Sequence, residues 1–231
     1  MIKYLKKNKN LNKLISILSP KSLETRLQIR AADDTCEYIE QNMLSIHSTT
    51  TRNHVLKQAL EHAKLDGLYL EFGVFSGKTI NLIANARPSD TVHGFDSFEG
   101  LPEFWRDGYK PGHFHTNDIL PKVSKNVELI KGWFSDTLPD FINSKNRNIA
   151  FLHIDCDLYS STVDIFKALH PYIKKDSIIV FDEYFNYVGW RNGEFKAFKE
   201  YTETYNIQYE YLTYNKFSEQ VAIKIKSVNN K

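Results

Sequence analysis

Leu68 to Phe72, apolar except for Glu71, runs directly into Gly73-Val74-Phe75-Ser76-Gly77, and Lys78 to Arg87 then carries a helical pattern. A run of that length suits a buried parallel strand, and the two glycines frame a tight loop. Strand, glycine loop and helix N-terminus together bring backbone N–H groups close to a ligand. The next apolar run, Thr91 to Phe95, ends in Asp96. Ligands of open α/β sheets lie at the carboxyl ends of the strands, so an acid there can accept both hydroxyl hydrogens of a ribose. This stretch limits the chain to an α/β fold with a ligand crevice along one sheet edge.

The loop departs from both common phosphate-binding patterns. A P-loop needs four residues between its glycines, and only three separate Gly73 from Gly77; Val74-Phe75 stand where a dinucleotide fingerprint needs its middle glycine. Phe75 would obstruct a pyrophosphate. Glu71 would repel an anion but could hold an ammonium group. A nucleoside with a cationic amino-acid tail meets both conditions. S-adenosylmethionine is such a ligand, and Glu71-x-Gly73-x-x-x-Gly77 resembles the first motif of the class I methyltransferases.

Alternating patterns continue along the chain. Helices are expected over Ser22 to Arg30, Asp34 to Asn42, Arg52 to Lys64 (with Ser48 to Thr51 offering cap oxygens), Leu138 to Asn143 and Ser161 to Tyr172. Further strands are expected over Val127 to Ile130, Ile149 to Asp155 and Ser177 to Asp182. Strand–helix alternation indicates a parallel, doubly wound sheet. After a helix over Glu194 to Tyr205, Gln208 to Tyr214 and Gln220 to Lys226 alternate as two strands, joined by a link short enough for a hairpin. Gly100 to Ser124 is long for a connector, and is either a substrate-covering lid or a structural insertion.

The 231 residues, 42% apolar and 25% charged, describe a soluble globular protein rather than a disordered chain. Charge is uneven: residues 1–30 carry +7 and the remainder −5. A mildly acidic body argues against a nucleic-acid substrate. The basic start lacks the apolar core and cleavage site of a signal peptide, and Leu14 to Leu18 is too short to span a membrane. It reads as a helix packed on the body or on a second subunit, or as a peripheral membrane contact through residues 1–19. Residues 1–47 are thus a helical extension and 48–231 the main domain. Cys36 and Cys156 have no paired spacing, which suits the cytoplasm.

Strand four ends in His153-Ile154-Asp155-Cys156-Asp157 and strand five in Phe181-Asp182-Glu183-Tyr184, on the same edge as the glycine loop. Crowded carboxylates raise one another's pKa unless a cation neutralises them. Oxygen ligands without a Cys or His partner suit a hard divalent ion, Mg²⁺ first. Alternatively, Asp157 caps the following helix and the other acids face water.

Five segments occur in order: Leu70-Glu-Phe-Gly-Val-Phe-Ser-Gly-Lys-Thr, Gly94-Phe-Asp-Ser-Phe-Glu-Gly-Leu-Pro, Gly132-Trp-Phe-Ser-Asp-Thr-Leu-Pro, His153-Ile-Asp-Cys-Asp-Leu-Tyr-Ser-Ser-Thr and Val180-Phe-Asp-Glu-Tyr. Together they resemble the macrocin/mycinamicin-type O-methyltransferases, which methylate sugar hydroxyls. The resemblance covers about Thr49 to Glu200. It implies a seven-stranded, mostly parallel sheet of order 3-2-1-4-5-7-6 with the last strand antiparallel, a glycosyl acceptor, and a homodimer or higher homo-oligomer. It implies metal ligation by Asp155, Asp182 and Glu183, the last replacing the usual Asp or Asn, with Asp155 also the catalytic proton acceptor.

Cofactor contacts are expected from Thr49, Glu71, Gly73, Phe75, Ser76, Gly77, Thr79, Asp96, Ser97, Gly132, Trp133, Phe134, Ser135 and Asp155. Among these, Thr79 faces the methionine carboxylate, Asp96 the ribose, and Trp133 and Phe134 the adenine. Tyr159, Tyr184, Trp105 and Trp190 are candidates for stacking on a sugar ring, and His113, His115 and Asp157 for a metal-free base. A phenolic acceptor, or a binding protein that keeps the adenosyl pocket without catalysis, are the competing readings.

Overall fold

Residues 22–228 are described by the computed structural model. Ser22 opens helix α1 (Leu23–Asn42), its hydroxyl accepting the Thr25 N–H. The expected break between Arg30 and Asp34 does not occur. Ala31, Thr35 and Tyr38 form one buried stripe at helical spacing, and Thr35 donates back to the Ala31 carbonyl, so the turn is held from both sides. The expectations placed on residues 1–19 lie outside the described residues.

The elements that follow are β1 (Ser48–Thr49), α2 (Arg52–His62), β2 (Leu68–Phe72), α3 (Lys78–Ala86), β3 (Val92–Asp96), β4 (Val127–Lys131) and α4 (Phe134–Lys145). The chain continues through β5 (Ile149–Ile154), α5 (Tyr159–Leu169), β6 (Ile173–Phe181), α6 (Glu194–Thr204), β7 (Ile207–Asn215) and β8 (Val221–Val228). They build one eight-stranded sheet, order β1-β7-β8-β6-β5-β2-β3-β4. Read from β4, seven strands reproduce the expected order, with β8 antiparallel to both β6 and β7. The eighth strand is a correction: Ser48 and Thr49 pair in parallel with Tyr214 and Asn215 at the far edge. Two element starts lie four residues earlier than expected. Helix α4 begins at Phe134 and carries Pro139 inside it, at the loss of one N–H from the ladder. Strand β6 begins at Ile173, because Ser177 donates to the Ile149 carbonyl and holds the strand's early residues against β5.

Helices α2 and α3 cover one face of the sheet through Val55, Leu56, Ile80 and Ile83. Helices α1, α4, α5 and α6 cover the other through Tyr38, Ile142, Phe166 and Phe198. Helix α1 belongs to that core: the Tyr38 ring meets Tyr184, Trp190 and Phe195, and Arg191 makes a two-point ion pair with Asp34. Tyr184 and Trp190 are buried there, which removes them as a sugar-stacking surface. Among the described residues no helix is long and apolar enough to cross a membrane.

Candidate active site

The parallel strands β2, β3, β4, β5 and β6 end on one edge, where a cavity of about 560 Å³ opens. Its near end is the glycine loop. Gly73 has φ +93°, and a Cβ there would collide with the Asp155 carbonyl, so the loop can cross the β5 terminus only with glycine at this point. Phe75 also adopts a positive φ of 43° and is half exposed, with its ring edge-on to Phe114 of the long loop after β3. Asp96 holds this turn. One carboxylate oxygen accepts the Val74 and Phe75 N–H groups at 2.8 and 2.7 Å, and the other accepts that of Phe98 at 2.7 Å.

Of the residues expected to contact a cofactor, Gly73, Phe75, Ser76, Thr79, Asp96, Ser97, Trp133, Phe134, Ser135 and Asp155 line the cavity. Trp133 stands exposed at the start of α4, and Phe134 packs edge-on to Phe72. Four do not line it. Thr49 sits in the edge strand β1, donating to the Tyr214 carbonyl, because its segment is drawn into the sheet beside β7. Glu71 is fully buried beneath the loop, accepting from the Thr79 hydroxyl at 3.1 Å and from His153 Nδ1 at 2.9 Å. Gly77 caps α3 against Pro121, and Gly132 turns the chain beside Thr137.

Arg52, Asp155, Asp157 and Glu183 line the far end. The long loop after β3 contributes Leu101, Trp105, Arg106 and Tyr109 to the cavity lining. Arg106 ties that loop to the β7–β8 hairpin through Glu219 at 3.1 Å, its guanidinium lying over the Trp105 ring. His113 and His115 do not line the cavity, and His113 instead packs against Tyr109 and Phe114. Tyr159 also points elsewhere, donating to Glu200. Of the four aromatic candidates, only Trp105 faces the cleft.

Two constellations of oxygen and nitrogen donors share Asp155: His153 with Asp155 and Asp182, and Asp155 with Asp157 and Glu183. The first is already neutralised. Arg52, the first residue of α2, is hydrogen-bonded to Asp182 and lies 3.3 Å from Asp155. His153 Nε2 lies 3.8 Å from Asp182 Oδ1, an ion-pair distance rather than a hydrogen bond. Burial alone would lower the His153 pKa, but Asp182 and Glu71 push it up to about 10. Burial would raise that of Asp182, but His153 and Arg52 hold it below the usual carboxylate range.

The second constellation meets that counter-ion only at Asp155, where Arg52 lies 3.3 Å away. Burial, then the charge of Asp182, raises Asp155 to about 7. Burial and the neighbouring acids raise Asp157 and Glu183 further above the ordinary range. Glu183 Oε2 is buried without a hydrogen-bond partner. Oxygen donors so crowded, with one oxygen unpartnered, fit a hard divalent cation. The spacing of residues gave no hint of Arg52, which arrives from a helix a hundred residues upstream of Asp155. Asp157, in the sequence a candidate helix cap or metal-free base, adopts φ +66° and joins this constellation.

Residues 70–184 match a family model described as a methyltransferase domain. Demethyldecarbamoylnovobiocin O-methyltransferase of Streptomyces niveus is 32% identical over 112 residues, 41% of this chain and 42% of that protein. A relative from Streptomyces olivaceus, 8-demethyl-8-(2,3-dimethoxy-alpha-L-rhamnosyl)-tetracenomycin-C 4'-O-methyltransferase, is 31% identical over 155 residues, 56% of this chain and 58% of that protein. The chain thus spans about half the length of these curated relatives. The solved structure of the O-methyltransferase NovP matches with a TM-score of 0.57 and 25% identity, over 76% of this chain and 79% of that one. Sheet order, glycine loop and these matches agree: the chain has the class I methyltransferase fold, its residues 70–184 match a methyltransferase domain, and it is similar to O-methyltransferases.

Proposed function

We propose that the protein transfers a methyl group from S-adenosylmethionine to a hydroxyl of a glycosyl acceptor, assisted by Mg²⁺. The carrying observation is one cavity with two unlike ends, a glycine loop folded around Asp96 and a cluster of carboxylates with one buried oxygen, Glu183 Oε2, left without a partner. The adenosyl cofactor brings an electrophilic methyl on a good leaving group, so the protein's task is alignment and proton removal. The loop of Gly73 to Gly77 and Trp133 hold the nucleoside end, with Ser97 and Ser135 available as polar contacts. Asp155, Asp157 and Glu183 would hold the metal, while Asp182 stays with Arg52. When bound, Mg²⁺ supplies a Lewis acid that makes a sugar hydroxyl, as weakly acidic as water, easier to deprotonate. Asp155, which lines the same cavity, accepts that proton.

The sugar rests on the rhamnosyl substrate in the name of the S. olivaceus relative, and on the far wall itself, where the aromatic Trp105 and Tyr109 line the cavity together with Ser160, Ser161 and Asp164. The same two rings would also hold a phenolic acceptor, which makes that the second reading. A cytoplasmic, homo-oligomeric enzyme is the setting we propose, the first on free Cys36 and Cys156 and the second on the family resemblance.

Calorimetry with S-adenosylmethionine, followed by turnover on glycosides and catechols with and without EDTA, tests the reading. Cofactor binding that survives EDTA, with glycoside turnover that does not, is the expected result. Full turnover in EDTA would remove the metal, and preference for catechol would replace the acceptor class.

A further inference from the structure

Helix α6 begins with Glu194, a carboxylate with no exposed surface. Its two oxygens go to two different strand ends. Oε1 accepts the Cys156 N–H at 3.3 Å, and Oε2 accepts the Glu183 N–H at 3.3 Å. Up to these points the sheet sets the backbone: the Asp155 N–H donates to the Phe72 carbonyl and the Asp182 N–H to the Ile154 carbonyl, each at 2.9 Å. Beyond them both chains leave the sheet. Asp157 takes a left-handed φ of 66°, and the Tyr184 N–H turns away to the Glu219 carbonyl. Cys156 and Glu183 are therefore the first residues past the ladder on adjacent strands.

A buried carboxylate is costly unless hydrogen-bonded. Glu194 sits among Asp155, Asp157, Asp182 and Glu183, where a further acid only adds repulsion. Its two backbone hydrogen bonds are what this residue contributes in return. We infer that Glu194 is a positioning residue that ties the ends of β5 and β6 together, fixing the spacing between Asp155 and Asp157 on one side and Glu183 on the other. It touches neither cofactor nor acceptor. This rests on the methyltransferase reading for its purpose, though the clamp itself is a property of the fold. A longer arm at Glu183 reaches from a fixed backbone point only because that N–H is held.

The test uses the full chain with S-adenosylhomocysteine and Mn²⁺ as probes, in wild type, Glu194→Ala and Glu194→Gln. Removing a partner of this kind lowers metal affinity about 10- to 100-fold, while S-adenosylhomocysteine affinity should stay within about twofold. Glu194→Gln keeps the shape and one carbonyl acceptor, and should recover part of the Mn²⁺ affinity. Its Cys156 and Glu183 amide resonances should shift, with those of Gly73 and Val74 unmoved. If Glu194→Ala fails to fold, the Gln amide shifts still decide. Unmoved Cys156 and Glu183 amides, or equal losses of Mn²⁺ and S-adenosylhomocysteine affinity, overturn the clamp. A wild type that binds no S-adenosylhomocysteine refutes the enzymatic reading instead, and the amide shifts judge the clamp independently of it.

Discussion

At the glycine-loop end of the cleft, Asp96, Glu71 and Thr79 are all hydrogen-bonded within the protein. At the acid end, Glu183 Oε2 has no hydrogen-bond partner, and three cleft carboxyls are raised by burial and by one another. One end is finished before a ligand arrives, whereas the other is held in a state that a cation would relieve. Preorganised donors cost little reorganisation when a ligand binds. Crowded acids concentrate free energy at the place where charge must be handled. The contrast predicts that substitutions at the acid end act on turnover, and substitutions at the loop end on stability and cofactor affinity.

The largest effect should come from Asp155→Asn, which keeps the shape and removes both a charge and the proton acceptor. Loss of a positioned base costs about 10²–10⁴ in turnover, with cofactor affinity by calorimetry little changed. A fall of less than about tenfold would move the base elsewhere, with Asp157 the next residue to test.

Glu71→Leu strikes beneath the loop. It strips His153 of the Nδ1 acceptor and leaves a buried imidazolium with Asp182 alone, a loss of about 3–5 kcal/mol in unfolding free energy. The sign follows from His153, whose folded pKa of about 10 lies above its ordinary 6.5. That contribution is complete below pH 6.5 and disappears as pH rises through about 10. The gap between wild type and variant in denaturant titrations should therefore narrow in alkali. A gap that is constant with pH would mean that His153 is neutral in the fold.

Asp96→Ala should be smaller. Three backbone N–H groups lose a charged acceptor, but the loop is partly open to water, which replaces some of it. A charged hydrogen bond is worth about 1.5–3 kcal/mol, and that is the expected loss in S-adenosylmethionine binding, whether Asp96 acts on ribose or through the loop. Unchanged affinity would show that the loop keeps its shape without this acid.

The loop end was legible in the sequence because its parts are neighbours there. Gly73, Gly77, Thr79 and Asp96 fall within one strand–helix–strand unit, and local geometry converts their spacing into a site. Orientation was less legible. Glu71 alternates with Leu70 and Phe72, yet its strand is buried on both faces, so it could not turn outward to an ammonium group. The acid end was half legible. Asp155, Asp182 and Glu183 follow from where strands end, whereas Arg52 and Glu194 reach the cluster from α2 and α6, elements with no sequence proximity to it. Charge balance inside a fold is a sum over distant parts, and a pattern read along the chain cannot perform it.

Thr79→Val carries the smallest effect and separates two roles for one hydroxyl. Thr79 lines the cavity, as a residue facing a methionine carboxylate should, but its hydroxyl donates to Glu71 at 3.1 Å. A hydroxyl has one hydrogen, so it serves the acid or an anionic ligand at any instant, and never both as donor. Valine keeps the volume and leaves Glu71 with His153 as its remaining partner. The cost should thus sit near 1 kcal/mol of unfolding free energy, at the low end for an acceptor left partly satisfied. Cofactor affinity should stay within about twofold, and Thr79→Ser should restore stability by returning the donor. If affinity instead drops while stability holds, the hydroxyl turns to the ligand on binding, and the loop end is less finished than its hydrogen bonds indicate.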